Sequence, residues 1–407
     1  YVATWGSDSA AGGAGTPWRT FARAWQTMRA GDTLLIQDGT YTEALQPLVA
    51  GVEGKPITIK AVNDGKVILD GQGKTIPLKL GDNWPGDNKS WFVVEGLVVK
   101  NGTEATVRIR GDHMVLRRVS AYDASIDDNS SVVSVVWSEN ILLEDLIAVG
   151  TGRKQILVFV SDQVTVRRAY TKWVQWDGRI FCNAGWPAGT GVNSYNSKNV
   201  RFENVLAVGP LADRLIGITG NADGLYLPGI EVLGSMAVDA GMNANGTVHV
   251  YPYPEGNPCN YNRGYEFYPG NRTGIGLYAQ GDIPAPVFRD VLATGSAQTG
   301  FFNVIPYGIG AHDGIVDHAT LFNNCLAVCG PYETNADAFK GFTVTNSKVP
   351  SYQAGEGARL DMRYVDGVRT NQPLWPWPME SRAQAEMGGF SITSWAQNAI
   401  MLAQGAQ

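Results

Sequence analysis

Charge is scarce in this chain of 407 residues: only 17% are Asp, Glu, Lys or Arg, and the remaining balance is acidic, a formal net charge of −6. A nucleic-acid footprint needs a basic stripe, so that class of partner is excluded, although Lys and Arg could still gather locally to meet an acidic polymer. No apolar run is long enough to span a bilayer, and no signal-peptide core is present. A start at Tyr1 without methionine reads as a processed or trimmed soluble chain, secreted or at the cell surface. Histidine is equally sparse: His113, His249, His312 and His318 are too scattered for a zinc ligand pattern. There is no phosphate-binding glycine loop and no nucleophile elbow. The four cysteines allow three complete pairings. Cys182 and Cys259 lie in Asn/Gly/Pro-rich loops that a disulfide could staple, whereas Cys325 and Cys329 lie on an apolar stretch that suits either a disulfide or buried thiols.

What the chain has in abundance is glycine, 49 residues, and a recurring phrase. Val94-Glu95-Gly96-Leu97 returns as Leu116-Arg117-Arg118-Val119, Leu143-Glu144-Asp145-Leu146, Val166-Arg167-Arg168-Ala169 and Phe202-Glu203-Asn204-Val205, then more loosely at 232–235 and 288–291. The spacing is 22 residues from Leu97 to Val119, then 27 to Leu146 and 23 to Ala169, the period of a solenoid with one coil per repeat. Each phrase follows another short β-branched run, such as 132–137 or 156–160, and leads into small residues and a loop. The pattern predicts an all-β parallel solenoid with Leu97, Val119, Leu146, Ala169 and Val205 in one stacked column. The charges inside the phrase alternate in sign between repeats, which predicts an exposed opposite-charge ladder, coils about 4.8 Å apart, in which Arg118 and Arg168 meet Glu144, Asp145 or Glu203. Exposed, such pairs would be worth no more than about 1 kcal/mol each.

A first strand over 1–4 and a helix over 16–30 are expected, with Thr16 as N-cap and Phe21, Ala24, Trp25 and Met28 on one face. That helix would cover the open end of the solenoid, whose bare strand edges need a cap. The run Tyr1-Val2-Ala3, Gly6-Ser7-Asp8 and Thr16-Pro17-Trp18, followed by Gly31-Asp32-Thr33-Leu34-Leu35-Ile36, Asp38-Gly39-Thr40-Tyr41 and Val67-Ile68-Leu69-Asp70-Gly71, resembles the opening of right-handed parallel β-helix proteins of the pectate-lyase-like superfamily. The resemblance, extended by the phrase to about residue 350, implies a right-handed parallel β-helix with an N-terminal capping helix. It leaves activity open, because that superfamily holds polysaccharide lyases, glycoside hydrolases, phage tailspikes, epimerases and non-enzymatic surface proteins.

Two long excursions, 170–204 and 238–290, interrupt the repeat, and excursions from a solenoid tend to gather on a binding face. After residue 350 the pattern stops; residues 351–407, with Leu374-Trp375-Pro376-Trp377-Pro378 and a helix near 381–387, read as a tail packing on or capping the stack. Asn-x-Ser/Thr sequons at Asn88, Asn101, Asn129, Asn245 and Asn271 are compatible with secretion.

The loops after the phrase hold the candidate chemistry. A uronate lyase needs a cation against the substrate carboxylate, often calcium on Asp oxygens, and a basic side chain to take the adjacent proton. Asp123, Asp127 and Asp128 are candidate calcium ligands, with solvated-turn residues as the alternative; Lys172 or Lys154 is the candidate base, with Arg179 beside it and Arg153 and Asp177 as substrate-binding groups. Asn221-Ala222-Asp223-Gly224 resembles the Asn-x-Asp-Gly stretch of polygalacturonase-like hydrolases, which would make Asp223 catalytic, but the Gly-His-Gly and Arg-Ile-Lys parts of that pattern do not appear. Trp137, Trp173, Trp176, Trp186 and Tyr226 serve either as sugar platforms or as packing. The expectation is an extracellular protein that cleaves or binds an acidic polysaccharide across its middle coils, most simply by β-elimination. The rival is a non-enzymatic surface, adhesive or filament-forming protein capable of self-association, and an inverting hydrolase is a third reading.

Overall fold

The structure, a computed structural model, describes residues 1–81, 89–125, 129–174, 190–209, 214–220, 224–238, 273–279, 281–294, 301–304, 310–322, 341–349 and 355–405. All four cysteines lie outside them. The chain winds as a right-handed parallel β-helix. One large parallel sheet of 18 strands holds the recurring phrase, and a second parallel sheet of eight strands forms another wall.

The stack is set by one apolar side chain per coil. Ile59, Val94, Leu116, Leu143, Val166, Phe202, Val232, Phe288, Val316 and Val344 pair in unbroken register from coil to coil, and all but Val344 are buried in the axial core. A shift of one residue would turn this whole file outward, so the register is strongly specified. The expected column of the phrase forms as well. Leu146 pairs with both Val119 and Ala169, and the neighbouring pairs Val98 with Ser120 and Tyr170 with Leu206 put Leu97 and Val205 in line with them.

From the Val94 coil onward, each coil turns a corner between the two columns through one residue of positive φ: Gly96, Arg118, Asp145, Arg168, Asn204, Gly234, Asp290, His318 and Asn346. Gly, Asn and Asp tolerate that conformation at little cost, which accounts for their place at the third position of the phrase. Gly234 is the tightest of these corners. At its φ of +57° a Cβ would fall 2.5 Å from Asn204 Nδ2 and 2.8 Å from the Tyr364 ring. Gly234→Ala is therefore expected to lower stability by about 1–3 kcal/mol; urea unfolding with an unchanged midpoint would refute this account of the corner.

The charge ladder forms, with two departures from expectation. Arg117 donates to Glu144 at 2.7 Å and Arg167 to Glu203 at 2.6 Å, while Arg168 meets Asp145 at 2.6 Å and Glu144 at 2.9 Å. Arg118 turns the other way, to Glu95 at 3.3 Å and Asp64 at 3.6 Å. The larger correction is burial. The side chains of Arg167 and Glu203 are 7% and 0% exposed, because the C-terminal segment lies over them, with Asp366 on Arg167 and the Gly367 N–H on Glu203 Oε1.

That segment runs as a hairpin, Met362–Val365 with Val368–Pro373, and two helices, Glu380–Glu386 and Ile392–Gly405, along the outer face of the large sheet. Ile147, Tyr170, Leu206, Met236 and Leu292 of the coils bury against Leu360, Leu374, Trp377, Met379, Ile392 and Ala396, a second core parallel to the axial one. Polar groups fasten it: Asn204 Oδ1 accepts the Tyr364 N–H at 2.6 Å, and fully buried Asp290 takes Arg359 at 2.9 Å and the Tyr364 hydroxyl at 2.5 Å. The N-terminal helix is shorter than expected, Phe21–Thr27, and its N-cap is Thr20, whose hydroxyl accepts the Arg23 N–H. Thr16 instead closes a turn against Gly13. Phe21, Ala24 and Trp25 are buried as the spacing predicted.

Candidate functional site

Strands Asp112–Tyr122, Glu139–Gly150 and Asp162–Trp173 end along one edge of the coil, and Ser131–Val136 and Lys154–Phe159 of the eight-stranded sheet begin just beyond it. The two short connections between them are pinned by their own hydrogen bonds. Asp123, at positive φ, accepts the Thr151 N–H on Oδ1 at 2.9 Å, and the Thr151 hydroxyl donates to the Ala124 carbonyl at 2.8 Å. Gly150, with φ of +120°, lies so close to Asp123 that a Cβ would fall 2.1 Å from Oδ1. The Trp173 indole N–H donates to the Gly152 carbonyl at 2.9 Å and is itself buried. Sequence thus fixes these loops through an Asp, two glycines and an indole.

On this support Arg153 Nη1 and Lys154 Nζ converge on one oxygen, Asn129 Oδ1, at 2.7 and 3.0 Å. Lys154 is buried, whereas Asn129 is exposed, so the amine borders solvent through the amide that holds it. Burial, and then the nearby Arg153 charge, lowers the Lys154 pKa from its usual 10.5 to about 7. A lysine with that pKa is divided between amine and ammonium near neutrality, the condition for a general base. A second cluster lies elsewhere: His312 bridges Asp282 at 2.9 Å and Asp313 at 2.8 Å, and those hydrogen bonds raise its pKa.

Of the residues singled out from sequence, Asp123, Arg153 and Lys154 share this pair of loops. Lys172 does not: it pairs in register with Val149 and Val208, and its Nζ lies 5.4 Å from the Phe390 ring centroid under the C-terminal segment. Trp173 is enclosed beneath Gly152. Tyr226 is exposed and bridges Asp282 at the opposite corner of its coil, after the strand of the eight-stranded sheet rather than before it. Asp127, Asp128, Trp176, Asp177, Arg179 and Asp223 lie outside the described residues. Among the described residues no three His, Cys, Asp or Glu side chains converge as a metal site. Asn129 was missed as a functional group because its sequence context, Ile126-Asp127-Asp128-Asn129, reads as a solvated turn; only the fold brings two cations to its amide.

Comparison with known proteins adds three findings. The Chondroitinase B family model matches residues 18–128. A stretch of 72 residues is 39% identical to the uncharacterized protein YwoF of Bacillus subtilis (strain 168), covering 18% of this chain and 15% of that protein's own length. Among solved structures, a rhamnogalacturonan lyase aligns over 96% of this chain and 99% of its own, with 15% identity and a TM-score of 0.46. Pectate lyase Pel9A aligns over 90% and 82% at 15% identity, TM-score 0.44. A PL6 family polysaccharide lyase from Pseudopedobacter saltans aligns over 83% and 86% at 14% identity, TM-score 0.44.

Proposed function

We propose that this protein is a polysaccharide lyase that cleaves a uronate-containing polymer by β-elimination, acting outside the cell. The observation that carries the proposal is the pairing of a buried lysine of pKa about 7 with an arginine on one exposed amide. The match of residues 18–128 to the Chondroitinase B family supports the same class of reaction.

In this reading Arg153 faces the uronate carboxylate and stabilises the negative charge that develops there. Lys154, as the free amine, takes the proton from the carbon next to that carboxylate. The electron pair left behind forms a carbon–carbon double bond as the bond to the glycosidic oxygen at the β-carbon breaks. The ammonium now on Lys154 supplies the proton that the departing hydroxyl requires, so one group serves as base and then acid. Asn129 orients both side chains. Calcium is a common partner in such chemistry, but the described residues do not assemble a site for it: Asp123 Oδ1 is taken by Thr151, and Asn129 Oδ1 by Arg153 and Lys154.

The test is the ultraviolet absorbance of an unsaturated uronate, measured on alginate, polygalacturonate, chondroitin sulfate and dermatan sulfate. Because the amine is the active form, kcat/KM should rise with pH through about 7 and then level. Saturated products would favour the hydrolase reading instead, and the absence of any product from all four polymers would leave a binding or scaffold protein.

A further inference from the structure

The eight-stranded sheet differs from the rest of the molecule in its charge. Its strands, Leu78–Leu80, Ala105–Ile109, Ser131–Val136, Lys154–Phe159, Val192–Tyr195, Arg214–Gly220, Thr273–Ala279 and Phe301–Val304, contain Lys79, Arg108, Lys154 and Arg214 but no Asp or Glu. The whole chain has a net charge of −6, so these strands stand out by their lack of carboxylates. Arg108 keeps one carboxylate partner, Glu104, at 2.8 Å.

At the far end of three consecutive strands of this sheet the coils present a file of aromatic rings. Val136, Phe159 and Tyr195 are in register. Trp137, just past its strand, meets Phe159 edge-on with centroids 5.8 Å apart, and Phe159 meets Tyr195 at 5.4 Å. The file is not core: Trp137 is 52% exposed, and Val160 beside it is 40% exposed. One face of the Trp137 indole is covered by the Arg110 guanidinium, 4.1 Å from the ring centroid, which fixes the ring's orientation. Trp137, Val160 and Asn196 all have positive φ, so the same corner geometry presents this edge on each coil.

We infer that Trp137, Phe159 and Tyr195 form a second binding lane for an anionic polysaccharide, distinct from the loops that hold Lys154. The coil repeat of about 4.8 Å is close to the length of one sugar ring in a chain, so successive rings can stack on successive rungs. The strands of this wall carry no carboxylate that would repel a uronate polymer. Lys154 and Phe159 are the two ends of one strand, about 16 Å apart at the extended rise per residue. A chain following the aromatic file therefore runs beside the loops of Lys154 and not through them. Its effect is retention: one segment of polymer stays attached while another enters the cleavage site, which raises the effective concentration there. The inference takes its polymer class from the lyase reading, but its test reads binding and not cleavage.

Affinity electrophoresis and calorimetry on the Lys154→Met protein, with alginate, polygalacturonate, chondroitin sulfate and dermatan sulfate, separate binding from turnover. At least one polymer should bind with an affinity that falls as sodium chloride rises, and adding Trp137→Ala should weaken it tenfold or more, while Trp137→Phe restores most of the loss. Thermal midpoints establish that each variant is folded, and Tyr195→Ala gives a second, independent rung. If none of the four polymers binds, or if folded Trp137→Ala and Tyr195→Ala variants both bind within twofold of their parent, the lane does not exist. Loss of the lane with cleavage intact would leave the lyase reading standing, and polymer binding through Trp137 without any cleavage would do the reverse.

Discussion

Replacing Lys154 by Met is expected to abolish lyase turnover, with kcat falling by about 10²–10⁴, the usual range for a general base, while the fold survives and is no less stable at neutral pH. The second half of this expectation follows from linkage. The folded-state pKa of Lys154, about 7, lies below the 10.5 of an unperturbed lysine. The unfolded chain therefore holds this proton more tightly, so the side chain's contribution to stability is greatest above about 10.5, is lost progressively as pH falls toward 7, and is constant below that. Methionine has no such proton, and it keeps the unbranched shape while Arg153 still donates to Asn129. The variant should have the higher thermal midpoint at pH 7, and the two proteins should converge in strongly alkaline buffer. A variant that loses activity and also melts several degrees lower at pH 7 would assign Lys154 to structure, whereas one that retains turnover would remove it as the base.

The second large effect is on stability. Arg167 is surrounded by Glu203 at 2.6 Å, Glu144 at 3.3 Å and Asp366, at 7% exposure. Truncating it leaves fully buried Glu203 with the more distant Arg201 guanidinium, 3.7 Å away, as its remaining counter-charge, and Arg167→Ala is expected to lower the unfolding free energy by about 3–5 kcal/mol. The double variant Arg167→Ala, Glu203→Ala should recover part of that loss, because the stranded charge is removed along with its partner. Urea unfolding of the two single variants and the double variant measures this directly. A loss of under about 1 kcal/mol for Arg167→Ala would return the ladder to the solvated-surface picture.

The fold was legible because a solenoid writes its period into the chain. The phrase around Val119, Leu146 and Ala169 located the stacked column, whereas the corner of positive φ at its third position, as at Gly96, Asn204 and Gly234, shows only in the structure. The burial of Arg167 and Glu203 was not legible, since nothing local distinguishes a ladder facing water from one lying under a distant segment; Asp366 is 199 positions away from Arg167. Helix Ile392–Gly405 went unread for a related reason, as its apolar side has meaning only against the coils that it covers. At the site, the sequence put Lys172 ahead of Lys154 as the base. They are separated by environment: one is desolvated beside Arg153 and Asn129, and the other lies against Phe390 on the face that the tail occupies.

The C-terminal segment changes how this molecule can come apart. In a simple solenoid each coil touches only its neighbours, so the array can lose turns one at a time from an open end. Here Arg382 donates to the carbonyls of Leu97 and Arg118, while Arg359 and Tyr364 hold Asp290 several coils away. Early and late turns are thereby tied to one continuous strip of chain, like pages to a spine. The last coils cannot fray without tearing the strip from the middle ones, and a stack that would otherwise unwind in steps is bound into one cooperative unit.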